Sequence, residues 1–303
     1  MVRQHAFTLA QGVCVPAKSH LMANKIWALA YKDGILIKNV LSFDLGQIFD
    51  CGQCFRWEKI NENEYSGIAF GKKLVVSQIS NDVYFKNTSK KDFESIWKDY
   101  FDFSFDYENL KKELEKIDPV LKKAIETYPG IRILKQEPWE TLCSFIISQN
   151  NNIPRIKKII SKLCENFGEK INGGYAFPSA KKLAELTEED LAVIKSGFRA
   201  KYILDAAKKV NSKEINLEKT SKMSAENAKT ELMKIKGVGP KVADCVLLYG
   251  MHNLAAFPMD IWMKKVMETF FKGKDPEVFG KYAGIAQQYL YHYTRTNPEI
   301  LKK

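Results

Sequence analysis

Between positions 35 and 85 the apolar residues come in short runs that alternate with polar ones. Examples are Ile35-Leu-Ile-Lys-Asn-Val40, Tyr65-Ser-Gly-Ile-Ala-Phe70, Lys73-Leu-Val-Val-Ser77 and Asp82-Val-Tyr-Phe85. Each run is bounded by Gly, Asn, Asp or Lys, a pattern that predicts strands joined by tight turns in an antiparallel sheet. Ser89 stands where a helix N-cap belongs, and Phe93, Ile96 and Trp97 follow at helical spacing, so 89–100 is predicted as a helix covering one face of that sheet. After about Tyr107 the period changes to 3.6 and stays there. Helices are predicted over 107–116, 119–128, 138–148, 153–167, 179–185, 187–195, 200–211, 225–235, 240–249, 259–270 and 279–293. Tyr128-Pro-Gly130, Gly173-Gly174, Ser196-Gly197 and Gly237-Val-Gly239 supply the breaks. The expected class is α+β: an antiparallel sheet domain over 25–106, then a mainly helical domain over 107–303, after a loosely ordered extension at 1–24.

Composition narrows the function. With 303 residues and 45% apolar content the chain can bury a large core divided among two or three units. Forty-seven Lys and Arg against 36 Asp and Glu leave a formal charge of +11, which suits a polyanionic partner. Six cysteines lack the density of a secreted disulfide framework, so a reducing compartment is expected. No apolar run reaches the roughly 18 residues of a membrane-spanning helix. Near the N-terminus, Ala6 to Ala10 is interrupted by Gln11 and Gly12 and lacks a cleavage pattern, so it is not read as a signal peptide, and Met22 is an alternative start. The four histidines show no zinc-site spacing, and Cys51-Gly-Gln-Cys54 has neither a second such pair nor a βαβ setting. No cysteine follows Cys245, which excludes a compact four-cysteine iron–sulfur cluster there.

The densest chemistry lies in Leu232-Met-Lys-Ile-Lys-Gly237-Val-Gly239-Pro-Lys241-Val-Ala-Asp-Cys245 and in Phe257-Pro258-Met-Asp260. A Gly-Val-Gly turn between two apolar helices offers backbone amides at a helix N-terminus, where a phosphate can sit. A plain helix connection, with Gly237 as C′ residue and Pro240 at N1, explains the same letters. Lys241 falls in the first helical turn, Cys245 lies one turn on along the same face, and Asp260 follows 19 positions after the lysine. Lys241 is a candidate nucleophile; a solvated or phosphate-contacting lysine is the plain alternative, weakened by the company of Cys245 and Asp260, and Asp260 is also a natural N-cap. Ser148-Gln-Asn150-Asn-Asn-Ile-Pro-Arg155 places four amide side chains and a guanidinium between two helices, groups suited to unpaired base edges. Phe198-Arg199 pairs an aromatic that could wedge into a base stack with a cation, unless Phe198 packs inward.

Taken together, these segments resemble the helix-hairpin-helix DNA glycosylases, and among them the 8-oxoguanine DNA glycosylase/AP lyases of the eukaryotic type. Cys51-Gly-Gln-Cys-Phe-Arg-Trp57, Ser148 to Arg155, Gly197-Phe-Arg-Ala-Lys-Tyr202, the hairpin with Pro258-Met-Asp260, and Tyr282-Ala-Gly-Ile-Ala-Gln287 occur in order along the chain. The resemblance implies a TBP-like antiparallel sheet domain followed by two helical subdomains, with the hairpin near 225–250 and the active site in the cleft between the subdomains. It implies that Lys241 attacks C1′ of a flipped nucleotide and that Asp260 assists the amine and stabilises charge on the sugar. Gly52 would read N7–H of 8-oxoguanine through its carbonyl, Cys245 and Tyr291 would sandwich the base, Gln287 would bond its Watson–Crick edge, and Pro258 and Met263 would complete the pocket. Asn150, Arg155, Phe198 and Arg199 would engage the partner strand, expected to carry cytosine. Gly237, Val238, Gly239 and Trp262 would contact the backbone. The resemblance also implies a structural cation on the carbonyls of Met233, Ile235 and Val238, and no cofactor required for the chemistry. Phe198, Tyr291 and Trp262 depart from the family's usual tyrosine, phenylalanine and histidine.

The expected partner is double-stranded DNA containing 8-oxoguanine. The protein is expected to be a monomer in the cytoplasm or nucleoid of a prokaryote or the nucleus of a eukaryote. Two alternatives stand beside this: a helix-hairpin-helix glycosylase with a different lesion spectrum, and a non-catalytic, structure-selective DNA-binding protein.

Overall fold

The structure is a computed structural model that describes residues 27–302; the extension expected at 1–24 lies outside them. Six strands form one antiparallel sheet: β1 (Trp27–Tyr31), β2 (Gly34–Lys38), β3 (Trp57–Asn61), β4 (Glu64–Ala69), β5 (Lys72–Ile79) and β6 (Asp82–Lys86), in the order β1-β2-β6-β5-β4-β3. The register pairs Ile35 and Val76 with Phe85, and Ile37 with Val83, which puts these buried residues on one face. A helical stretch covers that face, its first turn Lys90–Asp92 capped by Ser89 and its centre, Phe93–Trp97, widened to a π-turn. Phe93, Trp97 and Tyr100 are its buried residues. The pattern missed β1 and β3 because both are edge strands: β3 buries only Trp57, so little alternation is written into it. It also missed the short helix Leu45–Asp50, capped by Asp44, which ends at Cys51 and delivers the turn before β3.

Apart from a small two-stranded hairpin, Lys170–Ile171 with Gly174–Tyr175, the remainder of the described residues is mainly helical, with Pro138–Ser148, Ile153–Phe167, Ala200–Asn211, Ala225–Leu232, Pro240–Cys245, Ile261–Phe270 and Ala283–Thr296 shaping the site. Several predicted ends move. The regular helix after the glycine turn stops at Cys245 and continues as a π-turn, Val246–Gly250, whose residues are all buried; a segment apolar on every side carries no period to reveal the widening. The 187–195 helix is only a 3-10 turn, Asp190–Ile194. Gly280, at φ 61°, breaks the last predicted helix, whose regular part runs Ala283–Thr296.

Sheet and helices have separate cores that interlock, since Phe55 packs into the helical core and Leu134 into that of the sheet. Arg132 stitches the junction. Its guanidinium is buried and donates to the carbonyls of Leu41, Ser42 and Asp102, while stacking against Phe43, Phe103 and Tyr107. Three carbonyl acceptors, with the negative charges of Asp102 and Glu108 nearby, offset the burial of that charge.

Candidate active site

The glycine turn is built by sterics as much as by freedom of rotation. Gly237 has φ +80°, and a Cβ there would fall 2.4 Å from the ring of Tyr202. Gly239 is extended, and a Cβ there would meet nothing within 4 Å. Pro240 then opens the helix at N1, which puts Lys241 in the first turn with its Nζ 5.2 Å from the centre of the Phe145 ring. One turn further on, Cys245 is buried. Burial pushes its thiol up to about 11, against the opposing charge and hydrogen bond of Lys241, so it offers a polarisable surface rather than a thiolate.

Asp260 faces the same space from the neighbouring helix. It is the N-cap of Ile261–Phe270, and its Oδ1 accepts from the Met263 amide at 2.7 Å. The capping bond uses one carboxylate oxygen. Lys241, Cys245, Pro258, Asp260, Gly52, Gln287 and Tyr291 line one pocket that is open to solvent. Gly52 arrives from the sheet side at φ +82°, with Tyr291 Cε1 3.6 Å from where its Cβ would be. Gln287 arrives from the C-terminal helix, 4% exposed, and its Oε1 is buried without a hydrogen-bond partner. Native proteins rarely leave such an acceptor unpaired, so this atom is a candidate acceptor for a ligand's donor. Tyr291 receives a bond from Arg295 at 2.8 Å.

Three candidates stand elsewhere. Met263 is completely buried in the helical core and supports the pocket through its amide rather than lining it. The single side-chain donor of Trp262 is committed to Thr294 Oγ1 at 2.8 Å, which ties helix to helix and leaves no indole N–H for a phosphate. Arg199 is 3% exposed and its guanidinium holds the carbonyls of Gln149, Asn150 and Ser196, so it braces the amide loop instead of projecting from it. Within that loop Gln149 and Asn151 bond back to the preceding helix and Asn152 caps the next. Asn150 is exposed at φ 47°, and Arg155 is exposed beside it.

Phe198 is 48% exposed, lies 4.4 Å under the Arg199 guanidinium and meets Tyr202 edge-on. Because Tyr202 also abuts Gly237, the amide loop, the Phe198 turn and the hairpin form one continuous surface. Met233 is exposed, whereas Ile235 and Val238 are buried, and the carbonyl of Ile235 accepts from the Val238 amide. The sequence reading missed Phe145 and Tyr249, which also line the pocket. Both lie in uniformly apolar segments, where lining and core residues look alike. Arg295 carried a usable signal, one helical turn beyond Tyr291.

The chain resembles known proteins over most of its length. Residues 35–142 match the family described as 8-oxoguanine DNA glycosylase, N-terminal domain, and residues 143–278 match the HhH-GPD superfamily of base excision DNA repair proteins. The N-glycosylase/DNA lyase of Saccharomyces cerevisiae is 33% identical across 80% of this chain and 72% of its own length. That of Arabidopsis thaliana is 30% identical across 80% of this chain and 75% of its own. The crystal structure of the Clostridium acetobutylicum 8-oxoguanine glycosylase/lyase, in complex with double-stranded DNA containing cytosine opposite 8-oxoguanine, is 43% identical, with a TM-score of 0.85 over 91% of this chain and 99% of that one. This chain belongs to the 8-oxoguanine N-glycosylase/DNA lyase family of the helix-hairpin-helix base-excision-repair superfamily.

Proposed function

We propose that this protein removes 8-oxoguanine lying opposite cytosine in duplex DNA and then cleaves the strand, with Lys241 as the nucleophile. The observation that carries the reading is the meeting of Lys241, Asp260, Gly52 and the unpaired Gln287 Oε1 in one pocket. A lysine cannot reach C1′ inside a base stack, so the lesion must be extruded into that pocket. The amine of Lys241 forms a bond to C1′ as the bond to the base breaks, and the base leaves with its electron pair and takes up a proton. Asp260 accepts the proton released by the amine and offsets the positive charge that builds on the sugar. Ring opening gives a Schiff base. Loss of a C2′ proton then expels the 3′ phosphate by β-elimination.

Selection follows from hydrogen-bond polarity. The Gly52 carbonyl accepts from N7–H of 8-oxoguanine, whereas guanine presents a lone pair there, and the stranded acceptor costs ~1–3 kcal/mol. Gln287 Oε1 takes a donor from the Watson–Crick edge, with Cys245 and Tyr291 on the two faces of the base and Pro258 at its side. On the partner strand we assign cytosine to Asn150 and Arg155, with Phe198 filling the gap and Arg199 holding the loop. The amides of Gly237 to Gly239 hold phosphate, since the open side of Gly239 admits a backbone. The carbonyls of Met233, Ile235 and Val238 are neutral donors that suit a monovalent cation, and that of Ile235 retains one lone pair after the Val238 bond. Such an ion would supply positive charge beside a bound phosphate.

In this reading the sheet domain, 25–106, contributes Gly52 and the helical domain, 107–303, the rest. Borohydride reduction should trap a covalent complex with 8-oxoguanine duplex, and not with duplexes carrying alkylated bases. Lys241→Gln should abolish the trapping. Folded, DNA-binding protein that traps nothing overturns the lysine mechanism, and trapping on another lesion overturns the substrate.

A further inference from the structure

Behind the pocket, a chain of buried polar groups runs to the turn that carries Gly52. The Gln288 side chain is fully buried; its Nε2 donates to the Cys51 carbonyl at 2.8 Å, and its Oε1 accepts from the Tyr249 hydroxyl at 2.5 Å. The direction of this chain is fixed. A backbone carbonyl can only accept, so the amide nitrogen must face Cys51; the amide oxygen then faces Tyr249, whose hydroxyl must donate. Tyr249 itself is held by stacking on Phe145, with centroids 5.3 Å apart and planes at 17°.

The Gly52 turn needs such a brace. A glycine at φ +82° reorients its peptide planes more freely than any other residue, so its neighbours must be pinned if its carbonyl is to discriminate between bases. On the far side the pinning is visible. Gln53, fully buried, donates to the carbonyls of Ile48 and Arg132 and accepts from the Leu134 amide, while the Gln53 carbonyl accepts from Gln136 at 2.7 Å. On the near side, Gln288 is the side chain that holds the Cys51 carbonyl.

We infer that the Tyr249–Gln288–Cys51 chain positions the Gly52 carbonyl and thereby sets lesion selectivity, with Gln288 a positioning residue that touches no substrate. The inference rests on Gly52 being the base reader proposed above. It separates two activities of one active site: base excision requires the reader, whereas β-elimination at a preformed abasic site has no base to read.

The test compares single-turnover excision of 8-oxoguanine with cleavage of a preformed abasic duplex, in the wild type and in Gln288→Met, which keeps length and removes both bonds. Gln288→Leu, which also removes both bonds with an apolar side chain of smaller volume, serves if Gln288→Met folds poorly. In both variants the ratio of excision to abasic-site cleavage should fall about tenfold, the worth of one hydrogen bond of ~1.4 kcal/mol. The preference for 8-oxoguanine over guanine should narrow with it. Equal loss of both activities marks a merely structural role and overturns the inference, as does an unchanged ratio. A wild type that cleaves abasic sites yet ignores 8-oxoguanine overturns instead the functional reading on which the inference rests.

Discussion

At position 260 a helix cap and a proposed catalytic carboxylate are the same side chain, and substitution chemistry can separate them. The cap needs only an acceptor for the Met263 amide, which an asparagine carbonyl provides equally well. Proton uptake and negative charge need the carboxylate. Asp260→Asn should therefore keep the thermal midpoint of the wild type while single-turnover excision falls by roughly 10²–10⁴. Asp260→Ala should lose activity and in addition about 1 kcal/mol of stability, measured by denaturant unfolding. An Asn variant that excises at the wild-type rate would reduce Asp260 to a cap. The same scale shows what residue identity leaves unsaid. Arg199, Trp262 and Met263 are residue types suited to contacting DNA or a base, yet their donors and surfaces are taken up by Asn150, Thr294 and the helical core. Which partner a side chain chooses depends on neighbours distant in sequence, and no local pattern records that choice.

Among elements, the hairpin is the clearest case of a turn whose two glycines serve different ends. Gly237 is demanded from within, by its positive φ and by Tyr202; Gly239 has no internal reason to lack a side chain. Gly237→Ala is expected to destabilise the fold by about 1–3 kcal/mol, through backbone strain and collision with the Tyr202 ring. Gly239→Ala should leave the unfolding midpoint almost unmoved yet weaken duplex binding, read by fluorescence anisotropy at fixed salt. If Gly239→Ala binds duplex as the wild type does, no DNA backbone approaches that turn.

The helices of this region were legible because each packs one apolar face on a core, which writes a 3.6 period into the chain. Pro240 and Ser89 likewise announced helix starts that the structure contains. Edge strands and fully buried turns were not legible, since neither has one wet and one dry face: β1, β3 and Val246–Gly250 all fall in that gap. Part of the pocket wall, including Tyr249, lay in the same blind region.

The whole molecule adds a sensitivity to acid at the junction of its two units. His292 lies on the C-terminal helix, edge-on to Tyr128 at 4.4 Å. Burial lowers its pKa, while the charge of Asp50, at the end of the sheet-side helix, pulls the other way, and Arg295 adds to the lowering. The unfolded chain therefore holds the His292 proton more readily than the folded one, and folding at low pH must expel it. This contribution to stability is complete above the unfolded value of about 6.5 and is lost as pH falls through the lower folded value. Thermal unfolding should then occur at a lower temperature at pH 5.5 than at pH 7.5. His292→Phe, which retains an aromatic ring against Tyr128 and cannot titrate, should show a smaller difference between the two conditions. Other groups, among them the buried Asp102, whose pKa is lowered in the fold, also respond to acid, so the comparison is between variant and wild type rather than between pH values alone. If both proteins lose the same stability on acidification, His292 does not carry the effect. Because the same helix presents Gln287 and Tyr291 to the pocket, loosening it in acid should also lower the fraction of molecules competent to hold an extruded base.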